Sequence, residues 1–175
     1  LLGRHNLYNL LGVIALGVSY GLSLEAACDG ACSCDNIPGR LERVAGETGI
    51  HVFVDYSHTP DALEKALRVL AGMCKGRLIC VFGCGGDRDR GKRPIMGRIA
   101  GEISQLAVIT SDNPRTEDPE SILDMIEPGV IEAGMRRCDS EPSQISESGC
   151  YYRIQDRAEA IECAVRLARP GDAIL

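Results

Sequence analysis

Apolar positions along this chain follow two periods, one helical and one continuous. From Asn6 to about Tyr20 the residues Leu7, Leu10, Leu11, Ile14 and Val18 recur at helical spacing, and Leu24 to Cys32 predicts a second, shorter helix. Ile37-Pro38-Gly39 breaks the pattern. Arg40 to Val44 and Ile50 to Asp55 then read as strands, the second through the run Ile50-His51-Val52-Phe53-Val54. A helix is expected to start at Thr59-Pro60-Asp61, with Thr59 as its N-cap and Leu63, Leu67 and Leu70 on one face.

The alternation repeats downstream. Leu78 to Phe82, Leu106 to Thr110 and Tyr151 to Ile154 read as strands, and Pro94 to Ile103, Pro119 to Ile126 and Arg157 to Leu167 as helices. A last strand begins at Asp172-Ala173-Ile174-Leu175, after a Pro170-Gly171 turn, and the polar stretch Met135 to Gly149 reads as a long loop. Short, continuously apolar strands separated by amphipathic helices call for a parallel sheet covered on both faces. From about Ala45 onward the chain therefore predicts an α/β domain.

In an open α/β sheet ligands collect at the carboxyl ends of the strands. Three such ends carry chemistry: Asp55-Tyr56-Ser57-His58-Thr59-Pro60, the segment Gly83 to Arg93, and Ser111-Asp112-Asn113-Pro114-Arg115-Thr116-Glu117-Asp118-Pro119. Parallel connectivity brings all three to one edge. The third holds a carboxylate, a carboxamide and a guanidinium within four residues, a set able to hold a zwitterion: Asp112 for an ammonium, Arg115 for a carboxylate, Asn113 beside them. The same residues also build ordinary turns, and Asp118-Pro119 suits the first positions of the next helix.

The second loop excludes two nucleotide motifs. Gly86-x-x-x-x-Gly91-Lys92 is followed by Arg93 where a phosphate-binding loop needs Ser or Thr, and Gly83-x-Gly85 meets Arg88 where a dinucleotide fingerprint needs its third glycine. What remains is either a solvated charged turn or a flexible loop presenting Arg88, Arg90, Lys92 and Arg93 to an anion. His58 is either a turn residue bonded to nearby backbone or a group that meets a ribose or phosphate.

Composition narrows the partners. The 175 residues are 45% apolar, without Trp, enough for one compact domain and part of another. No run is long enough to span a bilayer and no secretory pattern opens the chain. A formal charge of -6 argues against a general nucleic-acid surface. Small-molecule partners are expected. Nine cysteines, an odd number scattered through strands and helices, point to reduced thiols in a cytoplasm. Cys28-x-x-x-Cys32-x-Cys34 lacks a second paired half, so no metal site is expected there and the cysteines read as small buried apolar residues. The start on Leu1-Leu2-Gly3 without Met, and a stop inside a predicted strand, suggest part of a longer protein.

Five ordered motifs together resemble the Mur ligases. They are Gly3-Arg4-His5-Asn6-Leu7-Tyr8-Asn9, Pro38-Gly39-Arg40-Leu41-Glu42, Val54-Asp55-Tyr56-Ser57-His58-Thr59-Pro60-Asp61-Ala62-Leu63, Gly83 to Pro94, and Asp112-Asn113-Pro114-Arg115. Within the family they look most like the branch that adds meso-diaminopimelate. The resemblance implies a Rossmann-like carboxyl-terminal domain, with a mostly parallel sheet flanked by helices, over residues 45–175. Residues 1–44 would be the helical end of a central ATP-binding domain.

It further implies an ATP-dependent amide ligase. The D-glutamate carboxylate of UDP-N-acetylmuramoyl-L-alanyl-D-glutamate would be activated as an acyl phosphate and attacked by the diaminopimelate amine. Asn6 and Asn9 would lie near the adenine, Arg40 would approach the ATP phosphates as the catalytic cation, and Asp55 and His58 would meet the ribose. Arg88 and the Asp112, Asn113, Pro114, Arg115 loop would hold diaminopimelate. Arg115 would set the preference over lysine, which lacks a distal carboxylate. The resemblance implies magnesium with ligands mainly upstream, a phosphate-binding loop also upstream, a Gly-Lys-Gly-His-Glu segment downstream, and a monomeric cytoplasmic enzyme. The alternative is a non-catalytic binding module derived from such a ligase.

Overall fold

The computed structural model describes residues 3–34, 36–44, 49–138 and 148–175. In chain order the elements are α1 (Arg4–Ser19), α2 (Leu24–Cys32), β1 (Glu42–Val44), β2 (His51–Val54), α3 (Pro60–Met73), β3 (Leu78–Phe82), α4 (Lys92–Ile103), β4 (Leu106–Ile109), α5 (Pro119–Glu132), β5 (Arg136–Arg137), β6 (Cys150–Arg153), α6 (Arg157–Leu167) and β7 (Ala173–Ile174). Helices α1 and α2 pack on each other as a hairpin, and Ser23 caps α2 by accepting from the Ala26 N–H at 3.1 Å.

The strands form one sheet in the order β1-β2-β7-β3-β4-β6-β5. Among the described residues only β1 runs antiparallel to its neighbour, and every other pairing is parallel. Side chains of β3 alternate across the sheet as the pleat requires. Leu78, Cys80 and Phe82 join Leu63, Leu67, Leu70, Met96, Ile122, Leu123 and Ile126 from α3, α4 and α5 on one face. Ile79 joins Leu106, Val108, Cys163, Ala164 and Leu167 under α6 on the other. Each fully buried aliphatic side chain of this kind contributes about 1.5–3 kcal/mol.

The last strand in sequence is central in the sheet. Its entry is held by Asp172, which is buried and accepts from the Arg77 N–H at 2.7 Å, from Arg77 Nε at 3.0 Å, from Arg77 Nη2 at 2.7 Å and from the Arg169 N–H at 3.0 Å. Burial pushes the Asp172 pKa up, but the Arg77 hydrogen bonds prevail and hold it below the usual carboxylate range.

Four expectations need correction. Helix α5 does not stop at Ile126 but runs through Pro128 to Glu132. Pro128 forfeits one backbone hydrogen bond, and packing against α4 together with Arg153 bonds to Glu120, Asp124 and Glu127 holds the helix across it. The expected loop after Met135 contains strand β5, paired in parallel with β6; residues 139–147 of that loop lie outside the described residues. Strand β1 starts at Glu42, because Leu41 turns with φ 46°. Cys32 and Cys34 are exposed rather than buried: Cys32 ends α2 on its solvent side and Cys34 lies two residues beyond the helix. The expected boundary at Ala45 falls outside the described residues.

Helices α4 and α5 cross at glycines. A Cβ on Gly129 would sit 1.8 Å from the Pro94 carbonyl oxygen, and one on Gly97 would sit 2.3 Å from that of Ile126. Propensity alone says Gly→Ala inside a helix stabilises by about 0.5–1 kcal/mol. Here the sign reverses: Gly129→Ala is expected to destabilise by about 1–3 kcal/mol through overpacking, read as a lower urea midpoint at unchanged slope.

Candidate functional site

Because β2, β3 and β4 point the same way, the loops that follow them share one edge, as expected from the strand pattern. The second and third are locked together by backbone contact. The Gly86 N–H donates to the Asn113 carbonyl at 2.8 Å, and Arg115 Nη1 donates to the Gly86 carbonyl at 2.7 Å. A Cβ on Gly86 would lie 1.8 Å from the Pro114 oxygen, and one on Gly83 would lie 2.3 Å from that of Thr110. These glycines therefore admit the neighbouring loop.

A charged network crosses the same seam. Arg93, in the first turn of α4, is 0% exposed and grips Glu117 with both terminal nitrogens, Nη1 to Oε2 at 3.0 Å and Nη2 to Oε1 at 2.8 Å. Arg90 Nη2 reaches Oε2 at 3.1 Å, and the Asp87 N–H donates to Oε1 at 2.6 Å. Asp87 in turn accepts from the Thr116 N–H at 3.1 Å and from Thr116 Oγ1 at 2.7 Å. Asp87 and Arg115 both have φ 52°, a left-handed conformation that costs a side-chain-bearing residue about 1–2 kcal/mol and is held here by these bonds.

This corrects the reading of four cations offered to an anion. Arg93 and Arg90 are committed to Glu117, and Lys92 Nζ donates to the His58 carbonyl at 2.6 Å. Among the described residues Arg88 is the one of the four that stays exposed with no acidic partner, its Nη1 on the Asp87 carbonyl at 3.3 Å.

A cleft of about 260 Å³ opens between the ends of β2 and β3, lined by Asp55, Tyr56, His58, Phe82, Asp112 and Arg157 among others. Asp55 accepts from the Leu41 N–H at 2.7 Å and from Ser57 Oγ, so it ties the Gly39–Leu41 turn to the end of β2. His58 places Nδ1 3.1 Å from the Tyr56 carbonyl, and its ring centroid lies 5.0 Å from that of Tyr56. Arg40 is exposed and stacks over the Tyr56 ring at 5.9 Å. Asp112 pairs with Arg157 Nη1 at 2.8 Å.

Asp55, His58 and Asp112 thus share one cleft, Arg40 stands at its rim through Tyr56, and Arg88, Asn113, Pro114 and Arg115 form the adjoining double loop. Asn6 and Asn9 do not line it: they lie on α1, where Asn6 is buried and accepts from Asn9 Nδ2 at 3.3 Å. Among the described residues no three His, Cys, Asp or Glu side chains gather as a metal site, and no helix is long and apolar enough to cross a membrane. Sequence reasoning missed Glu117 and Arg157. The signal for Glu117 was an arginine-rich turn followed by an acid-bearing loop at the same sheet edge; nothing local marked Arg157.

The fold defines an α/β domain of the doubly wound type. The profile of the Mur ligase, glutamate ligase domain, matches residues 39–175, and the chain belongs to that family. Across its whole length it is 51% identical to the UDP-N-acetylmuramoyl-L-alanyl-D-glutamate–2,6-diaminopimelate ligase of Geobacter metallireducens and covers 34% of that relative. The chain therefore spans about a third of the length of the relatives it matches. A solved structure of a ligase with the same name is 36% identical at TM-score 0.64, with 99% of this chain and 33% of that one covered. A Mycobacterium tuberculosis folylpolyglutamate synthase complexed with ADP shares the fold at TM-score 0.70 and 21% identity, covering 99% of this chain and 37% of its own. The motif resemblance is borne out for family and fold.

The Arg93 hydrogen bonds, followed by the Asp87 N–H, bring the Glu117 pKa from 4.5 down to about 2. Its ionised form is thus favoured in the folded state, and that contribution is present above pH 4.5 and lost as the pH falls toward 2. The stability gap between wild type and Glu117→Gln is expected to narrow across this window in chemical unfolding; a constant gap would contradict the pairing.

Proposed function

We propose that the chain is part of an ATP-dependent amide ligase that joins meso-diaminopimelate to the D-glutamate of UDP-N-acetylmuramoyl-L-alanyl-D-glutamate in peptidoglycan synthesis. Residues 1–44 would close its central ATP-binding domain and residues 45–175 form most of its terminal domain. The observation that carries the reading is the Asp112–Arg115 loop, braced on the glycine loop with the Arg115 guanidinium exposed at the rim. The names of relatives 43–51% identical to the chain support it.

In this reading ATP supplies the phosphoryl group that activates the glutamate carboxylate. The residues present suit part of that ligand. Each Asp55 oxygen accepts one hydrogen bond and retains capacity for a ribose hydroxyl, and Arg40 offers an exposed guanidinium close to it. Magnesium ligands would come from outside the described residues, which hold no fitting cluster. Arg115 and Arg88 would take the distal carboxylate of diaminopimelate, and Asp112 its ammonium. Lysine would leave the guanidinium without a counter-ion, the basis of discrimination. The enzyme would act as a cytoplasmic monomer on small molecules, without nucleic acid.

The test is Arg115→Ala in the full-length protein. KM for diaminopimelate is expected to rise about 10- to 100-fold, the weight of a hydrogen-bonded charge, with KM for ATP nearly unchanged. An equal rise for both substrates would count against the assignment, and a wild-type protein without ATP-dependent diaminopimelate ligation would remove it.

A further inference from the structure

Both Glu117 oxygens are already engaged. Oε1 accepts from Arg93 Nη2 and the Asp87 N–H, and Oε2 accepts from Arg93 Nη1 and is ion-paired with Arg90 Nη2 at 3.1 Å. With its side chain only 9% accessible, it acts on a substrate through what it holds. A buried ion pair serving stability alone is replaceable by apolar side chains of similar volume. This one ties the loop after β3, through Gly85, Asp87 and Arg90, to the loop after β4 that carries Glu117, and the Asp87–Thr116 pair joins the same two loops a second time. Arg88 directly follows Asp87, and Arg115 directly precedes Thr116. The backbones of the two exposed arginines therefore flank the tie, one on each side of the seam, with Arg88 Nη1 on the Asp87 carbonyl and Arg115 Nη1 on the Gly86 carbonyl, so the register of the tie sets where both side chains start.

We infer that Glu117, acting through Asp87 and Thr116, is a positioning residue that fixes Arg88 and Arg115 as a single receptor for the distal carboxylate of the amino-acid substrate. The inference rests on the ligase reading above. Displacing a binding group by about 1 Å can cost two orders of magnitude, and the closed ring of bonds prevents that displacement without touching substrate.

The full-length protein tests it in two arms. Kinetically, Glu117→Gln is expected to raise KM for diaminopimelate about tenfold or more while KM for ATP stays close to wild type. Because Glu117→Gln leaves Arg93 without its charge partner and can fail to fold, Thr116→Val serves as the second variant: it loses one bond at an exposed position. It should raise the same KM severalfold, and Thr116→Ser, which keeps the hydroxyl, should bring it back. The second arm is amide hydrogen exchange without substrate, where Thr116→Val should lower protection at Gly86 and Asp87 and Thr116→Ser should not. Unchanged diaminopimelate KM in a folded Thr116→Val protein overturns the positioning role alone. Equal rises in both KM values with a loss of melting temperature reduce Glu117 to a structural ion pair and overturn it too. A wild-type protein that does not use diaminopimelate overturns both this role and the ligase reading, whatever exchange reports.

Discussion

Arg93 leaves the loop after β3 and turns into α4 with its guanidinium wholly removed from water. Such a charge is costly to bury unless a counter-ion meets it with good geometry and its protons find acceptors. Glu117 meets it with two parallel bonds, and the Gly85 carbonyl takes a further bond from Nη2 at 3.2 Å. That requirement fixes where the loop after β4 can lie. With the loop held there, Gly83 and Gly86 must be glycines, Asp87 and Arg115 are driven into left-handed backbone, and α5 must begin at once, since Asp118 and Pro119 follow Glu117 directly. Asp118 accepts from the Ser121 N–H at 3.1 Å, so the cap of α5 is also a consequence of the pair's position.

A second buried pair works at the opposite edge. Arg77 and Asp172 hold the entry to β7, so the last strand in sequence inserts between β2 and β3. Its insertion spreads the carboxyl ends of those strands and gives the cleft a floor at Ile174 and Leu175. One pair thus sets which strands flank the cleft, and the other sets the loops along its rim. Both lie at strand ends, where irregular backbone leaves polar groups that a sheet ladder cannot satisfy.

Local patterning made the elements legible but not their order. Leu78 to Phe82 and Leu106 to Ile109 announce buried strands by continuous apolar runs, and Thr59 and Asp118 announce helix starts by chemistry within four residues. Strand β5 escaped because it is two exposed arginines on an edge, with no apolar residue to mark it. The central place of β7 depends on Asp172 meeting Arg77 across 95 residues, which no window reveals. The site divides in the same way. Asp112 to Arg115 stood out because its groups are neighbours in sequence. Glu117 meets Arg93 across 24 residues and Arg157 meets Asp112 across 45, so the first read as part of a turn and the second as an ordinary helix residue. An arginine-rich loop looks available to an anion until its internal partner is seen.

The two ion pairs of the rim differ in a way that suits the proposed chemistry. Arg93–Glu117 is buried, with both carboxylate oxygens engaged and Arg93 Nε left without an acceptor among the described residues, and nothing can exchange into it without leaving a charge uncompensated. Arg157–Asp112 is exposed, with side chains 57% and 42% accessible, and pairs of that kind contribute only about 0–1 kcal/mol. A substrate ammonium could take the place of the Arg157 guanidinium on Asp112 at small cost, while Arg157, freed, would swing in solvent. A receptor for a zwitterion needs both kinds of group: a carboxylate whose partner is easily exchanged, and cations whose positions do not relax when the anion is absent. Arg115 meets the second condition because its Nη1 is held by the Gly86 carbonyl and its backbone by the loop seam, so little ordering remains to be done when a carboxylate arrives.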